Sequence, residues 1–209
     1  MKEIQVETFV LDPMQTNSYL LSSGNEAVVI DCGLNPAPML QAIRERRLTV
    51  QSIYLTHMHF DHIGGVSALQ EMTGAEVYGN HKDLYLSDIP INEGGFLEFK
   101  KKLNFEIKDL RQGRQTILDN PVMILETPGH TPGSLSFFFP TLGSAFVGDL
   151  LFMISVGRTD LPGGDSNELI SSIKNRIFIL PGSTQIFSGH GPKTTIKHEM
   201  NNNPHFARL

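Results

Sequence analysis

The sequence predicts an α+β fold in which a sheet-on-sheet core is flanked by helices. Three observations point to it. Short apolar runs recur in both halves of the chain, and helix-period segments are interleaved between them. The 19 Gly and 12 Pro are spread along all 209 residues as turn punctuation, not gathered into a linker.

Each element has its own local reason. Glu3 to Val10 alternates loosely and reads as a strand, and Asn17 to Ser22 as a second. Glu26-Ala27-Val28-Val29-Ile30 is a third, closed by the turn Asp31-Cys32-Gly33. Pro36 to Arg47 reads as a helix, with proline at its start and Leu40 and Ile43 on one face. Ser52-Ile53-Tyr54-Leu55 is a buried strand that delivers the chain into Thr56-His57. Gly65 to Thr73 is helical, with Val66, Leu69 and Met72 on one side and Gly74 as the stop. Ala75 to Gly79 is a strand, and His81 to Gly95 a loop-rich or short-helix excursion. Lys100-Lys101-Lys102 beside it reads as a solvated face. The second half brings strands at Val122–Glu126, Ser134–Phe139 and Ala145–Val147, then a helix from Ser166 to Arg176. Thr184–Phe187 is the last strand and Thr194–Met200 the last helix. No internal repeat and no Gly/Ser linker divides the chain, so residues 1–209 read as one domain.

Composition narrows the function. Lys and Arg number 17 against 22 Asp and Glu, a net charge of −5, which argues against a nucleic-acid binder relying on electrostatics. With 40% hydrophobic and 19% charged residues the chain is too apolar for disorder. Its longest apolar stretches are far too short for a membrane span, and the start lacks the apolar run of a secretory signal. The single cysteine, Cys32, excludes an intrachain disulfide framework and reads as a small buried residue. The expectation is a soluble cytoplasmic protein, a monomer or small homo-oligomer.

Chemistry concentrates in Thr56-His57-Met58-His59-Phe60-Asp61-His62, which puts three of the 8 histidines and a carboxylate at the mouth of a strand. Such a crowd of ligand types repels and desolvates itself unless a cation holds it. Imidazole nitrogen and carboxylate oxygen suit zinc, and also iron or manganese. His57 and His59 can point one way while Asp61 and His62 turn another, which fits two neighbouring metals better than one. Further candidates lie at later strand ends, each beside a glycine: His130 in Pro128-Gly129-His130, Asp149 in Gly148-Asp149, and His190 in Gly189-His190-Gly191. His81, His198 and His205 lack such neighbours and read as surface groups; Tyr54, Tyr78 and Tyr85 default to core packing.

Together these residues resemble the metallo-β-lactamase fold superfamily, whose signature is His-x-His-x-Asp-His followed by His, Asp and His at later strand ends. The resemblance runs from Asp31 through His190 and implies a four-layered αβ/βα sandwich. It implies that His57, His59 and His130 hold one metal, that Asp61, His62 and His190 hold the other, and that Asp149 bridges them. A hydroxide between the metals would be the nucleophile at neutral pH. Asp61 would also orient it or shuttle a proton, and Asp31 would buttress the ligand loop from behind. The main dizinc β-lactamases carry cysteine where Asp149 stands, which argues against antibiotic hydrolysis. The flavin-linked diiron members carry Glu where His59 stands.

Val156-Gly157-Arg158-Thr159-Asp160-Leu161-Pro162-Gly163-Gly164-Asp165, with Gly189-His190-Gly191-Pro192-Lys193, is similar to the short glyoxalase II-like hydrolases, relatives of hydroxyacylglutathione hydrolase. That likeness implies a thioesterase with two divalent metals, zinc first, acting on S-lactoylglutathione or a related thioester. Arg158 would touch the substrate or, alternatively, be a buried arginine paired with Asp160 or Asp165. The helical C-terminal domain of full-length glyoxalase II has no counterpart, so the chemistry transfers better than the glutathione specificity. A mononuclear-iron persulfide dioxygenase, with His57, His130 and Asp149 as ligands, is the competing expectation. A metal-binding domain without turnover is the third.

Overall fold

The structure, a computed structural model, describes residues 3–88 and 105–206. The first sheet has the order β1-β2-β3-β4-β5-β6. Its strands are β1 (Gln5–Leu11), β2 (Thr16–Ser23), β3 (Glu26–Ile30), β4 (Thr49–Tyr54), β5 (Glu76–Gly79) and β6 (Ile107–Asp109). The second has the order β14-β13-β10-β9-β8-β7. Those strands are β7 (Gly113–Ile117), β8 (Asn120–Glu126), β9 (Leu135–Phe139), β10 (Ser144–Gly148), β13 (Gln185–Ser188) and β14 (Thr194–Thr195). A small hairpin, β11 (Leu151–Phe152) with β12 (Ser155–Val156), lies outside both sheets.

Period-two alternation splits each strand between two cores and so stacks the layers. From β2 and β3, Leu20, Ala27 and Val29 pack with residues of helices α1 (Ala37–Glu45) and α3 (Val66–Thr73). Their alternates Tyr19, Leu21, Val28 and Ile30 face Leu135, Phe137, Phe139 and Phe146 of the second sheet. Phe138, Ala145 and Ile186 then face outward, against Leu169 of α4 (Ser166–Ser172) and Ile196 of α5 (Ile196–Asn202). Three cores in series between four layers make the expected αβ/βα sandwich. Adjacent β3, β4 and β5 are parallel, with α1 and then α3 as crossovers, whereas most pairs of the second sheet are antiparallel.

The sequence-derived elements shift in informative ways. Short strands of two or three residues, β6, β11, β12 and β14, carry no period and were not expected. Neither was β7, whose polar Gly113-Arg114-Gln115-Thr116 faces solvent. The helix expected at Ser166–Arg176 is α4 followed by a π-turn at Ile173–Ile177. That expected at Thr194–Met200 starts two residues later, because Thr194 and Thr195 pair with β13. Gly74 does stop α3, in the left-handed conformation at φ +70°. His81–Asp88 forms a 3-10 helix; the rest of the expected excursion and Lys100-Lys101-Lys102 lie outside the described residues.

Candidate metal centre

Strand direction decides where the polar residues go. The C-terminal ends of β3 and β4 lie at one edge of the first sheet, and those of β8, β10 and β13 at one edge of the second. Each end is followed by a candidate: Asp31, His57–His62, His130, Asp149 and His190. Backbone bonds join the two edges, Leu135 N–H to Thr56 O at 2.7 Å and Asn17 N–H to Gly189 O at 2.7 Å. Between His57 and His59 the chain is extended enough for Met58 to enter the helix-side core, leaving the two imidazoles on the opposite side. Asp61 and His62 then turn away on the short helix α2 (Phe60–Ile63).

All seven expected ligands converge. Three groups of donor atoms, each within 4.8 Å of one another, could hold a metal ion among the described residues. They are His57/His59/His130, His57/His62/Asp149 and Asp61/His62/His190. Asp149 lies between the outer two: its Oδ2 is 3.7 Å from His130 Nε2 and 3.6 Å from His190 Nε2. Glycine makes room for this approach. A Cβ on Gly189 would sit 2.1 Å from Asp149 Oδ1, and one on Gly148, at φ +55°, 2.4 Å from Thr56 Oγ1.

The outer hydrogen bonds fix which ring nitrogen is bare. Asp31 Oδ2 can only accept, so His62 Nδ1–H donates to it at 2.8 Å. Thr56 Oγ1 gives its proton to the same oxygen and accepts from His57 Nδ1–H at 3.1 Å. The Arg158 carbonyl takes His130 Nδ1–H at 2.8 Å, and the Gln15 carbonyl takes His190 Nδ1–H at 3.3 Å. Four Nε2 lone pairs are thereby turned inward. His57 Nε2, His62 Nε2 and Asp149 Oδ1 are buried with no hydrogen-bond partner. His62 Nε2 and Asp149 Oδ1 stand 3.4 Å apart, lone pair to lone pair. Only a cation between them, a proton or a metal, makes that arrangement favourable. The donor set therefore fits divalent metals with nitrogen and oxygen ligands.

The two halves differ electrostatically. Burial, with His62 and the other imidazoles adding to it, keeps His57 well below the usual histidine range. His59 is lowered to about 4 by burial and by His130 beside it. In the other half, burial opposes charge, but Asp61, Asp149 and Asp31 hold His62 well above that range. Burial likewise opposes the charge of Asp61, yet His62 and His190 keep it below the carboxylate range.

Asp31 stands where a buttress is needed. It is buried at φ +57° and also accepts from Thr56 N–H at 2.8 Å. Of the two readings of Arg158, the buried one is corrected: the side chain pairs with Asp160, as that reading had it, but the pair is exposed, so both charges keep their hydration. The guanidinium donates twice to Asp160, at 2.7 Å each, while Asp165 instead caps α4. Tyr54 and Tyr78 stack as core residues, but Tyr85 is on the surface, its hydroxyl donating to Pro162 O. His81, His198 and His205 are exposed and Cys32 is buried, as expected. Thr16, whose Oγ1 donates to Asp61 Oδ2 at 3.0 Å, and the carbonyls of Gln15 and Arg158 carry no local sequence signal. Thr56 did: it directly precedes the histidine run.

Comparison with known proteins agrees with this geometry. A profile of the metallo-beta-lactamase superfamily matches residues 11–190. A probable metallo-hydrolase, YqgX, of Bacillus subtilis is 36% identical over 92% of this chain and 92% of its own length. The hydroxyacylglutathione hydrolase GloC of Haemophilus influenzae is 31% identical over 96% of this chain and 97% of its own. Two solved structures superpose closely. BLEG-1, a B3 metallo-beta-lactamase, has a TM-score of 0.87 and 36% identity over 97% of this chain and 100% of its own. TTHA1623, in a di-iron-bound form, has a TM-score of 0.86 and 38% identity over 96% and 100%.

Proposed function

The chain belongs to the metallo-beta-lactamase superfamily, and from that premise we propose that it is a dinuclear metal-dependent thioester hydrolase of the hydroxyacylglutathione hydrolase kind. It would cleave S-lactoylglutathione or a related small thioester with water, giving a carboxylic acid and a thiol. One observation carries the reading. Four histidines, each with its Nδ1–H engaged outside, turn their Nε2 atoms toward one another, toward His59 Nδ1 and toward the carboxylates of Asp61 and Asp149. The resemblance to GloC supplies the thioester.

In this reading His57, His59 and His130 would hold one metal and Asp61, His62 and His190 the second, with Asp149 available to both. Zinc is the first expectation, and the di-iron form of TTHA1623 makes iron the second; manganese is also compatible. When bound, two such metals supply Lewis acidity toward a carbonyl and bring the pKa of water toward neutrality. The protein's own residues do the rest. Thr16 fixes the Asp61 carboxylate, whose Oδ2 is 3.2 Å from His190 Nε2, so that it can orient water and take its proton. Asp31 holds the Thr56–His62 segment against reorientation. Arg158, at the exposed end of the loop that holds His130, is placed to meet an anionic part of the substrate if Asp160 releases it. The reading takes the chain as one cytoplasmic domain; among the described residues no helix is long and apolar enough to cross a membrane.

His59→Ala and Asp149→Ala test this directly: each should lose metal and thioesterase activity together, and full activity in either would sink the mechanism. The likeness to BLEG-1 makes β-lactam hydrolysis the competing activity to assay on the same sample. Oxygen uptake with glutathione persulfide would instead select the mononuclear-iron dioxygenase.

A further inference from the structure

Beyond the ligands and Asp31, two carboxylates among the described residues have no exposed surface: Glu199, which accepts from Ile154, Thr194 and Asn203, and Asp83. Asp83 lies on the 3-10 helix His81–Asp88 with no exposed surface. We infer that Asp83 is a positioning residue for the His57/His59/His130 half of the site, acting through the turn that carries His130. Its Oδ1 accepts from Gly133 N–H at 2.6 Å and its Oδ2 from Thr131 Oγ1 at 2.7 Å. The Met58 N–H, between His57 and His59, lies near enough to the carboxylate to favour its charge. A Cβ at Gly133 would stand 2.5 Å from Asp83 Oδ1, so the carboxylate occupies the space that any side chain at 133 would need.

Thr131 follows His130 directly and is cross-linked to Ser134, Oγ to Oγ at 2.7 Å, so holding Thr131 holds the turn that presents His130. The same helix reaches the loop on the far side of His130. Tyr85 donates to Pro162 O at 2.9 Å, and that loop's Arg158 carbonyl sets the His130 tautomer. The helix therefore braces His130 from both sides. Nothing comparable from this helix touches Asp61, His62 or His190 among the described residues. The brace is confined to one half.

This inference rests on the reading of His57, His59 and His130 as one metal's ligands. Outer partners of ligands change metal affinity by roughly 10- to 100-fold when removed. In the full chain, Asp83→Ala should weaken one of two zinc ions by about that factor in a chelator competition and leave the other unchanged. It should also shift the visible absorption of the cobalt-loaded protein. Asp83→Asn keeps an acceptor for Gly133 N–H and should recover most of both. Thr131→Val removes one hydroxyl, with its bonds to Asp83 and Ser134, leaves the Gly133 bond to Asp83 in place, and should weaken the same ion by less. Thermal unfolding of the metal-free variants separates this from a general loss of fold, and Thr131→Val decides should Asp83→Ala not fold. Unchanged affinities and cobalt spectra in folded variants would overturn the inference while leaving the metal site standing. Wild-type protein that binds no metal would overturn both.

Discussion

Replacing Asp31 by Asn changes almost no volume, yet it should disable the Asp61/His62/His190 half of the site. Asp31 Oδ1 accepts from Thr56 N–H at 2.8 Å, a donor that cannot reverse. The amide oxygen must therefore stay there, which places the NH₂ where Oδ2 now accepts from Thr56 Oγ1 and His62 Nδ1. A hydroxyl can turn and accept; His62 can do so only by moving its proton to Nε2. That proton would then occupy the position from which the ring faces Asp149, 3.4 Å away. Losing an outer partner of this kind costs about 10- to 100-fold in metal affinity, or about 1.4–2.7 kcal/mol. Asn is at ease at φ +57°, so the backbone adds little. Loss of charge assistance in the bonds should cost the metal-free fold about 1–3 kcal/mol. Zinc competition and metal-free melting, run on wild type, Asp31→Asn and Asp31→Ala, separate the two quantities. Asp31→Ala strands three donors and should melt lower still. Two zinc ions bound by Asp31→Asn as tightly as by wild type would refute the tautomer argument.

Other perturbations follow from the same coordinates. Gly148→Ala puts a methyl 2.4 Å from Thr56 Oγ1 at φ +55°, so it should destabilise by at least about 1–2 kcal/mol and weaken metal binding, measured by melting and metal analysis. Arg158→Ala should keep both metals, because the backbone carbonyl, not the guanidinium, holds His130; elemental analysis checks it. Hydrogen bonds from Arg158 lower the Asp160 carboxyl to about 2. Such a group stabilises above the ordinary carboxylate range and loses that contribution as pH falls toward 2. Because the pair is exposed, Asp160→Asn should move the melting temperature at pH 7 by no more than about 1 °C. Ile154, a β-branched residue at φ +60°, presents a half-exposed side chain, and Ile154→Asn should raise stability by up to about 1 kcal/mol in denaturant unfolding.

The site was far more legible than the fold around it. His57, His59, Asp61 and His62 are adjacent in sequence, and His130, Asp149 and His190 each follow a strand and touch glycine, so local reading finds them. Their partners are a different matter. Gln15 meets His190 because β2 begins at the edge where β13 ends, a contact across 175 residues, and Thr16 meets Asp61 across 45. Asp83 looks like any polar residue of a short helix until Gly133 closes over it. The long apolar strands were readable because alternate residues serve two cores; β7 was not, because consecutive residues from Gly113 to Thr116 are all exposed and leave no period. Arg158 has a further part that its side chain does not signal: its backbone carbonyl accepts from His130 Nδ1–H.

In the proposed function these side chains hold two metals that serve thioester hydrolysis. The most direct test is elemental analysis of the purified protein beside an S-lactoylglutathione hydrolysis assay on the same sample. About two divalent ions per chain with thioester cleavage, both lost after chelation and both restored by zinc or iron, is the expected result. About one iron per chain with no cleavage, or cleavage that survives complete metal removal, would contradict it.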